Sequence, residues 1–301
     1  MIPLKEPRTY EEQLENLKRK HNLIVEDDSK AIEILKRVNY YRLSGYGLGL
    51  TQPTDKELYK DGITLEHIYR LYTFDSKLRS ILFHTIEQIE IQLRAQISNY
   101  FALAYGAEGY MLSENFDDKT TKSGVTVHEK LMADFQRECE QQKNTPFVQH
   151  HMDKYEGRFP MWVAVELFSF GNISSLYSIM KPTDKKAIAD LYNTSPWYLT
   201  GWILSLVEIR NLCAHYSRIY NMPLKQAPAL YKEHRQYRQG SINKLFPVLL
   251  VLKRCLNEDW RKTDDERWKR AKKEIVELFS EYEDVINLSY IGFPPNWQDV
   301  L

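Results

Sequence analysis

Turn-forming residues are scarce in this sequence: 12 glycines and 12 prolines give 24 of 301 residues, against roughly 12% in average usage. So few chain breakers point to helices. Cysteine is scarce too. Cys139, Cys213 and Cys255 are odd in number, far apart and free of any CxxC spacing. That argues against a disulfide framework or a structural zinc site and fits a reducing cytosol. Long apolar runs are missing. The longest uncharged stretch, residues 191–207, is broken by Asn193, Thr194, Ser195, Pro196 and Ser205, and a bilayer span needs ~20 apolar residues. The N-terminal MIPLKEPRTYEEQ has no apolar core of a secretory signal. The sequence therefore predicts a soluble, cytoplasmic protein with no membrane partner. Net charge is absent as well, 41 Lys and Arg offsetting 41 Asp and Glu. This excludes a polycation that holds nucleic acid by bulk charge, but not a local basic patch. Hydrophobic residues at 43% and charged residues at 27% are those of a globular chain, long enough for one large domain or two small ones.

Helix signals recur along the chain. Thr9 with Glu12, Thr126 with Glu129 and Thr263 with Glu266 read as helix-opening capping boxes. Ser29, Thr183 and Ser241 read as further starts, and Pro160 and the Ser195-Pro196 pair as first-turn signals. Between 64 and 105, Ile68, Leu71, Leu78, Leu82, Ile86, Ile89, Leu93, Ile97 and Phe101 form one buried helical stripe. A break near Thr73 would divide its length of roughly 60 Å, and Gly106 and Gly109 end it. Gly171 predicts an interruption after Pro160, and a helix from Pro196 is expected to run through residue 221. Gly45, Gly47 and Gly49 are spaced GxGxG without a strand–helix unit around them, so no dinucleotide site is expected. No stretch alternates with period two, and an all-α chain follows.

The zero net charge hides a cancellation. Between 209 and 254 stand nine cations (Arg210, Arg218, Lys225, Lys232, Arg235, Arg238, Lys244, Lys253 and Arg254) and one acid, Glu233. A solvated face and a phosphate-binding surface with interleaved tyrosines are both open. Within this stretch lies EIRNLCAHYSRIYN. On a continuous helix Glu208, Asn211, His215 and Arg218 share one polar stripe, while Arg210 lies about 140° from His215. A histidine can move a proton and an arginine can stabilise a pentavalent phosphate, which suffices for RNA cleavage by the ribose 2′-OH without a metal. The alternative is a helix-packing network around a satisfied core histidine.

Arg210-Asn211-xxx-His215 matches the R-x4–6-H motif of HEPN ribonucleases. RNLCAHYSRIYN resembles the signature of the abortive-infection Abi-like (AbiD/AbiF-type) family. NYYRLSGY (39–46), FDSKLRSILFHTIEQIEIQLR (74–94), FPMWVAVELFSFGNISSLY (159–177) and GFPPNW (292–297) are similar to the same family in the same order. The motif type also occurs in type VI CRISPR effector nucleases. The resemblance implies an all-α, HEPN-like helical bundle over 61–301 with an N-terminal helical extension, residues 1–60, that carries NYYRLSGY. It implies a metal-independent endoribonuclease without cofactors, working as a homodimer and leaving 2′,3′-cyclic phosphate and 5′-OH ends. Carried over by position, Arg210 and His215 are the catalytic pair and Asn211 their polar companion. Arg218 and Asn221 have supporting RNA or structural roles, and Glu208 is expected to hold Arg210 by an ion pair. The partners implied are an RNA substrate and a noncoding RNA or antitoxin regulator. A non-catalytic RNA-binding or protein-interaction module remains the competing reading.

Outside the motif, Glu166 reads as a buried partner for an Arg or Tyr. Glu87 and Glu90 with Arg94 read as ion-pair positions, one of them within reach of the motif helix. Arg42 reads as structural. His150, His151 and Asp153 make a weak metal candidate. Trp162, Trp197, Trp202 and Trp268 read as core.

Overall fold

The computed structural model describes residues 4, 6–122, 124–238, 243–256 and 265–301. Its first helices follow from local caps. The Thr9–Glu12 capping box opens α1 (Tyr10–His21), and Asp27, two residues before the expected Ser29, caps α2 (Asp28–Arg37). Asn39 caps the short α3 (Tyr40–Ser44), which runs into the single turn Gly45–Gly47. Gly47 is required there because a Cβ would meet the Tyr59 ring at 2.5 Å.

The apolar stripe forms α4 (Leu65–Tyr105), 41 unbroken residues from a Thr64 cap to Gly106 at φ 82°. The expected break near Thr73 does not occur. Thr73 keeps its hydroxyl on the Tyr69 carbonyl at 2.9 Å, and no Gly or Pro interrupts the ladder. Around this rod pack α5 (Val127–Gln141), opened by the Thr126–Glu129 box, and α6 (Pro146–Tyr155). The short α7 (Met161–Ala164) and a single turn (Val165–Leu167) precede α8 (Phe170–Ile179). The interruption falls at Phe168–Ser169, not at Gly171. Ser169 and Asn172 form a new capping box there, and Gly171 lies inside the helix. Then come α9 (Pro182–Asp190), α10 (Pro196–Ala214), α11 (Phe246–Leu256), α12 (Glu266–Glu281) and α13 (Trp297–Val300). The expected starts at Ser241 and Thr263 lie outside the described residues; Asp265 caps α12.

The fold is all-α, and the described residues pair as extended chain only at isolated bridges such as Ile24 with Thr64. Leu78, Leu82, Ile86 and Ile89 of α4 are fully buried, as are Trp202, Leu206 and Ile209 of α10 and Ile173 and Leu176 of α8. The N-terminal residues are stitched to the rod: the Ile24 amide donates to the Ile63 carbonyl and the Ile24 carbonyl accepts from the Leu65 amide, both at 3.0 Å. Trp202 and Trp268 are core, but Trp162 and Trp197 are 56% and 68% exposed. Glu166 is exposed too: its single-turn segment presents it outward while Val165 and Leu167 take the core positions. No helix among the described residues is long and apolar enough to cross a membrane.

Candidate functional site

The helix carrying the motif stops earlier than its sequence suggests. α10 is regular to Ala214, His215 is its C-cap, and Tyr216 turns left-handed at φ 55°. The amide of Tyr216 bonds the Cys213 carbonyl at 3.1 Å and that of Ser217 bonds the Leu212 carbonyl at 2.8 Å. This is a Schellman ending built on tyrosine where glycine is usual. Arg218 is therefore not on the polar stripe expected for it; Glu208, Asn211 and His215 are the stripe that remains.

What ends the helix is a buried charge on α4. Asp75 has no solvent exposure, and its carboxylate accepts the amides of Tyr220 at 2.8 Å and Ile219 at 3.2 Å and the Tyr46 hydroxyl at 2.7 Å. Arg79, one turn along α4, closes the pair and reaches the Ser217 carbonyl at 3.5 Å. Burial pushes the Asp75 pKa up, while Arg79, Tyr46 and the two amides pull it down. Burial, then Asp75, pushes the Tyr46 hydroxyl above its ordinary value. Four donors around one carboxylate meet the requirement that a buried charge be paired. The network thus ties the residue 39–46 segment, α4 and the motif backbone into one body.

The turn leaves His215 exposed at a cleft between the two sequence motifs. Asn39, Tyr41, Arg42 and Gly45 form one wall, and Tyr216, Arg218 and Met222 the other. Arg42 Nη1 holds the Tyr216 carbonyl at 2.6 Å. Arg218 lies over the Tyr46 ring at 5.9 Å and donates to Met222 Sδ at 2.8 Å. Its Nη1 is buried without a hydrogen-bond partner among the described residues, and burial lowers its pKa. A desolvated cation with a spare donor favours a nearby anion. Asn221, left-handed at φ 53°, donates to the Leu48 carbonyl at 3.0 Å and clips the glycine segment to this wall.

Arg210 does not join His215 in that cleft. Its Nε lies 3.5 Å from Glu90 of α4, its guanidinium sits 5.9 Å from the Phe83 ring centre, and its Nη1 reaches Asn211 Oδ1 at 3.4 Å. Glu90 also pairs with Arg94, while Glu87 turns to His84 at 3.4 Å. The expected Glu208–Arg210 pair is not formed. Glu208 accepts the amides of Lys225 at 2.7 Å and Gln226 at 2.5 Å, both from the returning loop. The basic run disperses as well. Arg254 stacks on Tyr231 at 3.8 Å, and Lys244 and Lys253 bond the Tyr290 and Val300 carbonyls at 2.9 and 3.0 Å. His151 bonds the Phe147 carbonyl at 2.8 Å and stacks on Phe159.

Sequence reasoning missed Asp75 and Arg79. The signal was present: an Asp and an Arg one helical turn apart on the face of the apolar stripe, between Leu71 and Leu82. A family model described as Abi-like protein matches residues 33–221, from within α2 to the end of the motif, and so covers every cleft residue named above except Met222. No curated protein and no solved structure matches the chain.

Proposed function

The chain belongs to the Abi-like protein family, and from that premise we propose that it is a metal-independent endoribonuclease of abortive-infection defence with a HEPN-type site. The observation that carries this reading is the pairing of an exposed His215 with Arg218, whose Nη1 is buried and unpartnered, in one cleft. His215 takes the proton of a ribose 2′-OH, whose oxygen then attacks the adjacent phosphorus. The bond from phosphorus to the 5′ oxygen breaks, and that oxygen leaves with a proton as a 5′-OH. The other product is a 2′,3′-cyclic phosphate. Arginine donors stabilise the pentavalent charge between these steps. Asn211, one turn before His215 on the exposed stripe, orients phosphate or base. Since Arg210 faces Glu90 and Phe83 on another side of the helix, a homodimer supplies it from the second copy.

The specific observation favouring a non-catalytic RNA-binding module is this engagement of Arg210 by Glu90. End-group analysis of RNA treated with wild type, Arg210→Ala and His215→Ala protein separates the two. Cyclic phosphate ends from wild type alone support the nuclease. RNA bound by all three and cut by none favours the module, and cutting undiminished in His215→Ala removes that residue from the chemistry.

A further inference from the structure

The exposed face of α10 continues from His215 to the far end of the helix. Trp197 and His215 are five turns apart, so both project from the same side at about 27 Å separation. Leu204 and Asn211, exposed between them, continue that face. Beside Trp197 opens a cleft lined by Lys119, Lys185, Arg235 and Arg238, with no acid among the described residues of its walls. Its floor is small and apolar, Pro196, Gly201 and Ala229 leaving the indole accessible. The Lys119 and Lys185 ammoniums both donate to one oxygen, the Ser178 carbonyl, at 3.4 and 3.2 Å. Burial first, and then the charge of Lys119, pull the Lys185 pKa down against an opposing Asp117. Two cations on one carbonyl repel each other, and an anion beside them removes that repulsion. Glu233, the one acid of the neighbouring basic run, is turned to Arg254 at 4.0 Å.

We propose that this cleft is a second, non-catalytic site for single-stranded RNA, in which Trp197 stacks on a base and the four cations hold the flanking phosphates. An unpaired strand fits better than a duplex, because duplex bases are already stacked and leave no ring face for an indole. It fits better than an acidic peptide because carboxylates have no use for an exposed tryptophan. The choice of RNA over DNA rests on the ribonuclease reading; the stacking and charge argument does not.

The test uses full-length His215→Ala protein, so that the probe stays intact, and a labelled unstructured RNA of about 12 nucleotides, within the usual span of such sites. Trp197→Ala in that background is expected to weaken binding about tenfold, and Trp197→Phe to restore most of it. Lys119→Gln with Lys185→Gln is expected to weaken binding and flatten its salt dependence by roughly one to two in log–log slope. Far-UV spectra matching the parent's establish that each variant folds. Parental affinity in Trp197→Ala overturns the proposal, as does competition by poly-glutamate as effective as by unlabelled RNA. The two readings also fail separately. Wild type that binds through Trp197 and cuts nothing refutes the nuclease and leaves this site standing. Cleavage together with unchanged binding in Trp197→Ala refutes this site and leaves the nuclease.

Discussion

Replacing Asp75 by alanine leaves the Arg79 guanidinium buried without its carboxylate, and frees the Ile219 and Tyr220 amides with it. Breaking one side of such a pair costs about 3–5 kcal/mol, so the urea midpoint of Asp75→Ala is expected to fall steeply. A midpoint equal to wild type would show that the network does not support the fold. A second residue sets the response to acid. His67, half-buried on α4, has a pKa lowered from 6.5, chiefly by burial and also by Arg70, with Asp284 opposing. Well above 6.5 the ring is neutral in both states. Just below 6.5 the unfolded ring takes a proton that the folded ring resists, so stability is lost as pH falls through that window. Thermal melts between about pH 7.5 and 5.5 are expected to show the loss, and His67→Leu to reduce the slope. An unaltered slope would assign the acid response to His234, which burial lowers in the same way.

At the level of elements, the end of α10 sets local preference against a tertiary demand. Tyr216 holds a left-handed conformation at φ 55° that costs a non-glycine residue about 1 kcal/mol or more. The residue is 69% exposed, so little packing offsets that cost. Tyr216→Gly is expected to raise the melting temperature, and Tyr216→Val, β-branched and worse in this conformation, to lower it. If glycine lowers it, the tyrosine ring makes a contribution larger than its strain. This ending also explains what could be read in advance. The caps at Thr9 and Thr126, the buried stripe of α4 and the opening of α10 at Pro196 are local, carried by residues three or four apart, and the sequence displays them. The stop at Ala214 has no glycine or proline to announce it. It is imposed by Asp75, more than a hundred residues away in the chain, and by Arg42 on the Tyr216 carbonyl. Arg218 was misplaced for that reason, and Glu208 was paired with the wrong partner because the loop at Lys225 is near it only in space. The motif residues themselves were legible; the side of the helix each would face was not.

For the whole molecule, a net charge of zero proves compatible with two separate cationic clefts, because the cations are gathered by folding and the acids are kept elsewhere or paired. One cleft holds His215 with Arg42 and Arg218, the other Trp197 with Lys119, Lys185, Arg235 and Arg238. A single chain thus offers His215 on one side of α10 and Arg210, bound to Glu90, on another. The dimer proposed above would resolve this, since in a two-fold pair the same patch on each copy can lend its arginine to the other's histidine. Chains carrying Arg210→Ala and chains carrying His215→Ala are each expected to be inactive alone. A mixed dimer of the two has one site with both residues and one with neither, so random pairing restores about a quarter of the wild-type sites. Mixed dimers isolated through two different affinity tags are therefore expected to cut RNA at about half the wild-type rate. Mixed dimers without any cleavage, from subunits that are folded and paired, would place both groups in the same chain. Arg210 would then have to leave Glu90 and swing around the helix to reach the phosphate.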